Sequence, residues 1–132
     1  MRAQSRELAL QILFQTEFAP QISFADLLDV LGQGFAQDIL AYTDLLVKGV
    51  QTNRQSIDSA IQGASRHWKI ERMSPVDKNV MRVAIFEMFY AHESVPPSVA
   101  INEAIELVKK FGSTDSASFV NGVLDQIVKS KL

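Results

Sequence analysis

Apolar residues recur along this chain at intervals of three and four, and no stretch alternates apolar with polar residues well enough to compete as a strand. That pattern constrains the fold to helices. From Ser5 to Phe18, the residues Leu8, Leu10, Ile12, Leu13, Phe14 and Phe18 cover a broad helical face, with no Gly or Pro before Pro20. A short helix fits Phe24 to Leu31, capped by Ser23 and ended by Gly32-Gln33-Gly34. A third runs from about Phe35 to Asn53, with Ile39, Tyr42, Leu46 and Val50 in helical register, and a related helix follows through Ile57 and Ile61 to Gly63. The spacing is equally compatible with a single helix bent near Gly49.

The sharpest local signal is Ser74-Pro75-Val76-Asp77, with a Ser cap, Pro at the first helical position and an acid three residues after the cap, close to a capping box. The helix starting there places Val80, Met81, Ala84, Ile85, Met88 and Phe89 in paired apolar steps, with Arg82 and Glu87 embedded among them. Val95-Pro96-Pro97-Ser98 forces an extended connection, because a residue before proline is pushed out of the helical region. The next helix, Val99 to Phe111, carries Ile101, Ala104, Ile105 and Val108 on one face, has Glu106 one turn from Lys110, and is closed by Gly112. A last helix opens at Ser113 or Thr114 and buries Phe119, Val120, Val123, Leu124, Ile127 and Val128. The expectation is an all-α fold of six or seven helices in a single domain over 1–132, with helical halves at about 1–72 and 73–132.

Composition narrows the chemistry. The chain has 132 residues, 47% of them hydrophobic and 21% charged, which suits a globular core and excludes low-complexity classes. It has no cysteine, so disulfides, thiol catalysis and thiolate metal sites are all ruled out. No apolar run is long enough to span a membrane and the N-terminus has no leader pattern, so a cytoplasmic location is expected. The net charge is −2, but the charge is unevenly spread. Between Glu7 and Val47 there are six acids and no Lys or Arg, whereas Lys48 to Arg82 holds seven bases against three acids. The surface is expected to divide into acidic and basic parts.

No motif supports an enzyme. Gly32-Gln33-Gly34 follows no strand and reads as a turn rather than a dinucleotide loop. His67 and His92 are far apart in sequence and form no helical pair, so neither a metal nor a cofactor is expected. Glu103 and Glu106 share a helix face with Lys109 and Lys110 nearby, which reads as a solvated surface rather than an acid/base pair.

Four segments, in order, carry a family resemblance: Ser5-Arg6-Glu7-Leu8-Ala9-Leu10-Gln11-Ile12-Leu13-Phe14, Arg82-Val83-Ala84-Ile85-Phe86-Glu87-Met88, Ala100-Ile101-Asn102-Glu103-Ala104-Ile105-Glu106-Leu107, and Phe119-Val120-Asn121-Gly122-Val123-Leu124-Asp125. Together they resemble the NusB family of bacterial transcription antitermination factors and span nearly the whole chain. The resemblance implies two small packed helical bundles that bind the single-stranded boxA element of nascent ribosomal RNA. It also implies NusE, a small-subunit ribosomal protein, as partner, and a place in the elongating RNA polymerase complex on rRNA operons. A homodimer is compatible with the sequence.

Carried onto this chain, the resemblance places RNA contacts at Arg2, Arg6, Phe14, Phe111, Asp115 and Phe119, and the partner surface at Arg72, Asp77, Lys78 and Arg82. The RNA set is chemically coherent: arginines hold phosphates, aromatics stack on unpaired bases, and Asp115 repels phosphate but can accept from base amino groups. By residue type, Phe14, Phe111 and Phe119 suit core packing equally well, and Asp77 and Arg82 suit a cap and an internal ion pair. Relatives commonly carry a denser N-terminal arginine cluster than the Arg2 and Arg6 found here, which points to weak RNA binding by the isolated chain. Asn102 and Asn121 are expected to bond neighbouring helices, and Gly122 to mark close helix packing. Two alternatives belong to other classes: a stand-alone relative of the NusB-like RNA-docking domain of rRNA methyltransferases, and a purely protein-binding helical adaptor. The chain ends at Leu132 without a methyl-donor-binding domain, which favours the antitermination factor.

Overall fold

The computed structural model describes residues 2–131, in seven α-helices with a 3₁₀ turn and a π-helical segment and no strand among the described residues. The helices are α1 (Arg2–Phe18), α2 (Phe24–Leu31), α3 (Gln37–Thr52), α4 (Arg54–Ala64), α5 (Pro75–Ile85), α6 (Pro97–Phe111) and α7 (Thr114–Lys131). None is long and apolar enough to cross a membrane among the described residues.

Helix starts follow their caps. The Ser23 and Ser74 hydroxyls accept from the backbone N–H of Asp26 and Asp77, each at 3.1 Å, and Pro75 and Pro97 open α5 and α6 where no backbone donor is required. The box at Ser74 is only half formed, since one carboxylate oxygen of Asp77 is buried without a hydrogen-bond partner among the described residues. The break between α3 and α4 falls at Asn53, whose side-chain amide donates to the Gly49 carbonyl at 2.8 Å. Gly49 itself runs straight through α3. It is glycine for a packing reason: a Cβ there would lie 2.1–2.7 Å from the Phe86 ring.

Helix α1 packs against α2, α3 and α5, while α5 also meets α3, α4, α6 and α7. A central helix has no face to spare for water. Every residue from Asn79 to Ile85 is accordingly buried, and burial continues through Met88 into the π-helical segment Phe86–Tyr90. There the wider turn is closed by the Ala91 N–H donating to the Phe86 carbonyl at 2.9 Å, and Val95 N–H reaches the Glu87 carbonyl at 2.8 Å. One continuous hydrophobic cluster runs from Leu8 to Ile127 and joins both halves of the chain. Helix α2 stands apart in this respect, covering the cluster with half-buried Phe24, Leu27, Leu28 and Leu31 and burying no residue fully.

The expected close packing at Gly122 is not there. A Cβ at this position would meet nothing within 4 Å. Asn102 and Asn121 are likewise exposed and make no side-chain hydrogen bond among the described residues, because the sides of α6 and α7 that carry them face solvent.

Candidate nucleic-acid interface

Two arginines from the family resemblance turn out to be interior residues. Arg6 is 4% exposed and forks onto Glu87, with Nε and Nη2 donating to the carboxylate at 2.8–3.1 Å. Glu87 also accepts from the Tyr42 hydroxyl, and Glu103 approaches the guanidinium at 3.8 Å. Burial by itself would lower the Arg6 pKa; the hydrogen bond and charge of Glu87 outweigh it and raise the value. Burial pushes the Tyr42 hydroxyl up to about 12, reinforced by its bond to the Glu87 carboxylate. Arg6 is thus committed through Nε and Nη2 to Glu87 and ties α1 to the π-helical segment.

Arg82, 2% exposed, is the centre of a second network. Its guanidinium donates to Asp58 at 2.8 and 3.0 Å, to Glu17 at 2.9 Å and to Asn79 at 2.9 Å. Burial disfavours a charged Glu17, but the hydrogen bond from Arg82 and the charges of Lys78 and Arg82 hold its carboxyl below the usual range. Arg82 thus belongs to the joint between α1, α4 and α5 and is closed to a partner. Of the other partner-side residues, Arg72 is exposed at the end of the 3₁₀ turn Ile70–Arg72, Asp77 is buried, and Lys78 is half-buried 3.6 Å from Glu17.

The aromatic residues gather more usefully. Phe14 and Phe111 line one shallow groove of about 220 Å³ between α1 and α6, together with Leu10, Gln11, Gln15 and Val76. Both rings are half-buried, and Phe14 leans on the exposed ring of Phe18 at a centroid distance of 5.0 Å. On the other side of Gln11 a second hollow is bounded by Gln4, Glu7, Leu8, Phe35 and Lys110. Lys110 pairs across it with Glu7 at 2.8 Å rather than with Glu106 on its own helix. Its ammonium also stands 5.5 Å from the Phe111 ring centre. Arg2 is exposed, its guanidinium 4.5 Å from the centre of the Tyr42 ring. Phe119 is half-buried against the core and lines neither hollow, while Asp115 lies exposed in the first turn of α7.

What this arrangement offers is a strip with apolar rings, uncommitted amides and a cation side by side, the surface chemistry that unpaired bases and phosphates need. Gln11, Gln15, Val76 and Lys110 were absent from the residues expected to form it. For Gln11 and Gln15 the signal was outward helical spacing, since Gln4, Glu7, Gln11, Phe14, Gln15 and Phe18 share one side of α1 at steps of three and four; Val76 and Lys110 come from other helices and carried no such signal.

A sequence model of the NusB family matches residues 3–129. The chain belongs to the NusB family. The transcription antitermination protein NusB of Bdellovibrio bacteriovorus is 53% identical over 129 residues, covering 98% of this chain and 96% of that protein. A solved T. maritima NusB superposes with a TM-score of 0.90 at 32% identity, covering 98% of this chain and 91% of the other. A structure described as antitermination factors NusB and NusE in complex with dsRNA superposes with a TM-score of 0.84 at 26% identity, covering 98% and 96% of the two chains. The all-α architecture expected from apolar spacing is thus the fold of NusB proteins.

Proposed function

We propose that this chain is a transcription antitermination factor that binds boxA-type single-stranded RNA of nascent rRNA transcripts jointly with the ribosomal protein NusE. It acts in the cytoplasm, as a binding protein rather than a catalyst, within the elongating RNA polymerase complex. The observation that carries this reading is the α1/α6 strip: in a chain matched by the NusB family over nearly its whole length, Phe14 and Phe111 share one accessible groove beside Lys110. Bases stack on Phe14, Phe111 and the exposed edge of Phe119, Arg2 and Lys110 hold phosphates, and Asp115 at the mouth of α7 limits affinity while accepting from base amino groups. Arg6 acts indirectly, by fixing α1 against Glu87.

The partner surface centres on the start of α5. Arg72 and Lys78 are the bases a partner can reach there, while Asp77 is buried in the first turn of α5 and supports that turn from within. With a net charge of −2 and few bases on the strip, affinity for RNA alone is low and only mildly dependent on salt, and it rises when the partner adds its own contacts. The test is a titration with boxA-like RNA, with and without NusE. Tight binding that does not depend on NusE contradicts the joint mode, and no binding in either case contradicts RNA recognition altogether.

A further inference from the structure

Most bases between Lys48 and Arg82 are spent inside the molecule or on neighbouring acids. Lys48 pairs with Asp44, Arg54 with Asp58, Lys78 with Glu17, and Arg82 with both Glu17 and Asp58. The three that remain, Arg66, Lys69 and Arg72, form no ion pair among the described residues, and all are exposed on the segment joining α4 to α5. Between the first two stands Trp68, the chain's single tryptophan, 60% exposed. A lone apolar residue on a surface needs no explanation, but this one is held in place. The Gln62 amide donates to the carbonyls of Ser65 and Trp68 at 3.1 and 2.8 Å and accepts from the N–H of Ile70 at 3.0 Å. The loop backbone is therefore fixed while the indole and its flanking cations stand in water.

Arg66 also borders a groove of about 730 Å³ between α4 and α7, larger than the one at the strip. Its lining includes Ser56, Ser59, Gln126 and Lys131, and no lining residue is acidic. The two serines and the glutamine make no side-chain hydrogen bond among the described residues. Unpaired cations and free neutral donors without a carboxylate suit a chain of phosphates. An indole set between cations adds a stacking face, which a nucleic-acid single strand uses and a run of acidic side chains does not. We propose that the 65–69 loop and the adjoining α4/α7 groove form a second contact for single-stranded RNA, in which Trp68 stacks on a base and Arg66 and Lys69 hold phosphates. Stacking and phosphate contacts accept any base, so this contact is independent of sequence. Helix α7 starts three residues after Phe111 and its last turns line the groove, so roughly 20 Å of helix separates the two surfaces. The second contact therefore serves RNA outside the element bound at the strip. It takes from the reading above only that the ligand is RNA.

The single tryptophan supplies the readout. The full chain is titrated at low salt with a long labelled oligouridylate, and Trp68 emission is followed together with the anisotropy of the RNA. Saturable quenching of the indole is expected, and Trp68→Ala should weaken binding about fivefold or more. Arg66→Gln and Lys69→Gln change exposed, unpaired side chains, and each should lower the log–log salt slope by about 0.7. In Phe14→Ala and Phe111→Ala, quenching at saturating RNA should persist. Emission that RNA does not alter overturns the proposal, as does quenching lost in the two phenylalanine variants, or affinity and salt slope left unchanged by the variants at 66, 68 and 69. The strip is judged separately, by whether Phe14→Ala and Phe111→Ala weaken binding of a short boxA-like RNA. Oligoglutamate that quenches Trp68 as strongly as the RNA, or NusE that quenches it and shuts the RNA out, also overturns the proposal and assigns the loop to a protein.

Discussion

Replacing Arg82 with Met removes the guanidinium that holds Asp58, Glu17 and Asn79 together and leaves an unbranched side chain in its place. Breaking a buried ion pair by deleting one partner costs about 3–5 kcal/mol, because the remaining charges lose their compensation in a poorly solvated site. Here the lower end applies. Glu17 keeps Lys78 at 3.6 Å, Asp58 keeps Arg54 at 3.1 Å, and both acids retain some access to water. For a chain of 132 residues the unfolding entropy is about 0.28 kcal/mol per degree, so a loss of about 3 kcal/mol lowers Tm by about 11 °C. The deficit should also depend on pH with a definite sign. The folded Glu17 carboxyl lies below its ordinary value of 4.5, so its contribution is fully present above that pH and is lost as pH falls through the depressed value. Wild type and Arg82→Met should therefore converge in stability on acidification. Thermal melts followed by circular dichroism across the acid range provide the measurement. A Tm change below about 3 °C, or a gap that widens in acid, refutes the reasoning, and a loss of NusE binding at unchanged Tm returns Arg82 to the partner surface.

Gly122→Ala fills open space on an exposed helix and should stabilise the chain by about 1 kcal/mol, raising Tm by about 4 °C, whereas Gly49→Ala drives a Cβ into the Phe86 ring and should cost about 1–3 kcal/mol in the same melts. Tyr42 ionises near 10 when unfolded and at about 12 when folded, so the stability it confers is complete below pH 10 and disappears as pH climbs from there to 12. Urea midpoints should fall over that window by an amount equivalent to about 2 kcal/mol, allowing for the partial exposure of the ring, and Tyr42→Phe should flatten that part of the profile. Glu7→Gln releases Lys110 from its 2.8 Å pair and removes an acid from the strip. RNA affinity should rise, because Lys110 no longer has to leave Glu7 to meet a phosphate and an acid beside the RNA backbone is gone; unchanged affinity would place Lys110 outside the RNA path.

Local chemistry made most helix boundaries legible before any coordinates. Ser23, Ser74 and Pro75 each act through neighbours within four residues and appear in the fold where the sequence puts them, whereas Pro97 opens α6 two residues before the expected Val99, since proline suits the first helical position. The Asn53 break was harder, because its cause is an amide reaching back to Gly49, an interaction that any exposed asparagine could decline. Nothing in Phe86-Glu87-Met88-Phe89-Tyr90 distinguishes a π-helical turn from an α-helical one, and the partners that hold Glu87 within it, Arg6 and Tyr42, lie 81 and 45 residues away. The same distance explains the two misplaced arginines. The internal ion pair that residue type allowed for Arg82 could not be chosen over a partner contact until its acids were known, and Glu17 and Asp58 lie 65 and 24 residues away. Phe14 and Phe111 were legible as residues, but the groove they share was not, since it exists only once the fold brings Phe111 at the end of α6 and Val76 of α5 beside α1.

The unequal burial of α2 and α5 sets how the molecule opens. With no fully buried residue, α2 holds on by one half-covered apolar edge, so the free energy needed to detach it is a fraction of that needed to expose the core. Its amides should trade hydrogen for deuterium through small, denaturant-insensitive openings. Those of Val80–Ile85 have no such route and should exchange only when the whole chain unfolds. Local opening should therefore begin at α2, and changes at its exposed positions Ala25, Asp26, Asp29 and Val30 should leave the other six helices undisturbed, whereas Gly32, where a Cβ would lie 2.5 Å from the Leu28 carbonyl oxygen, ties the end of α2 to α3.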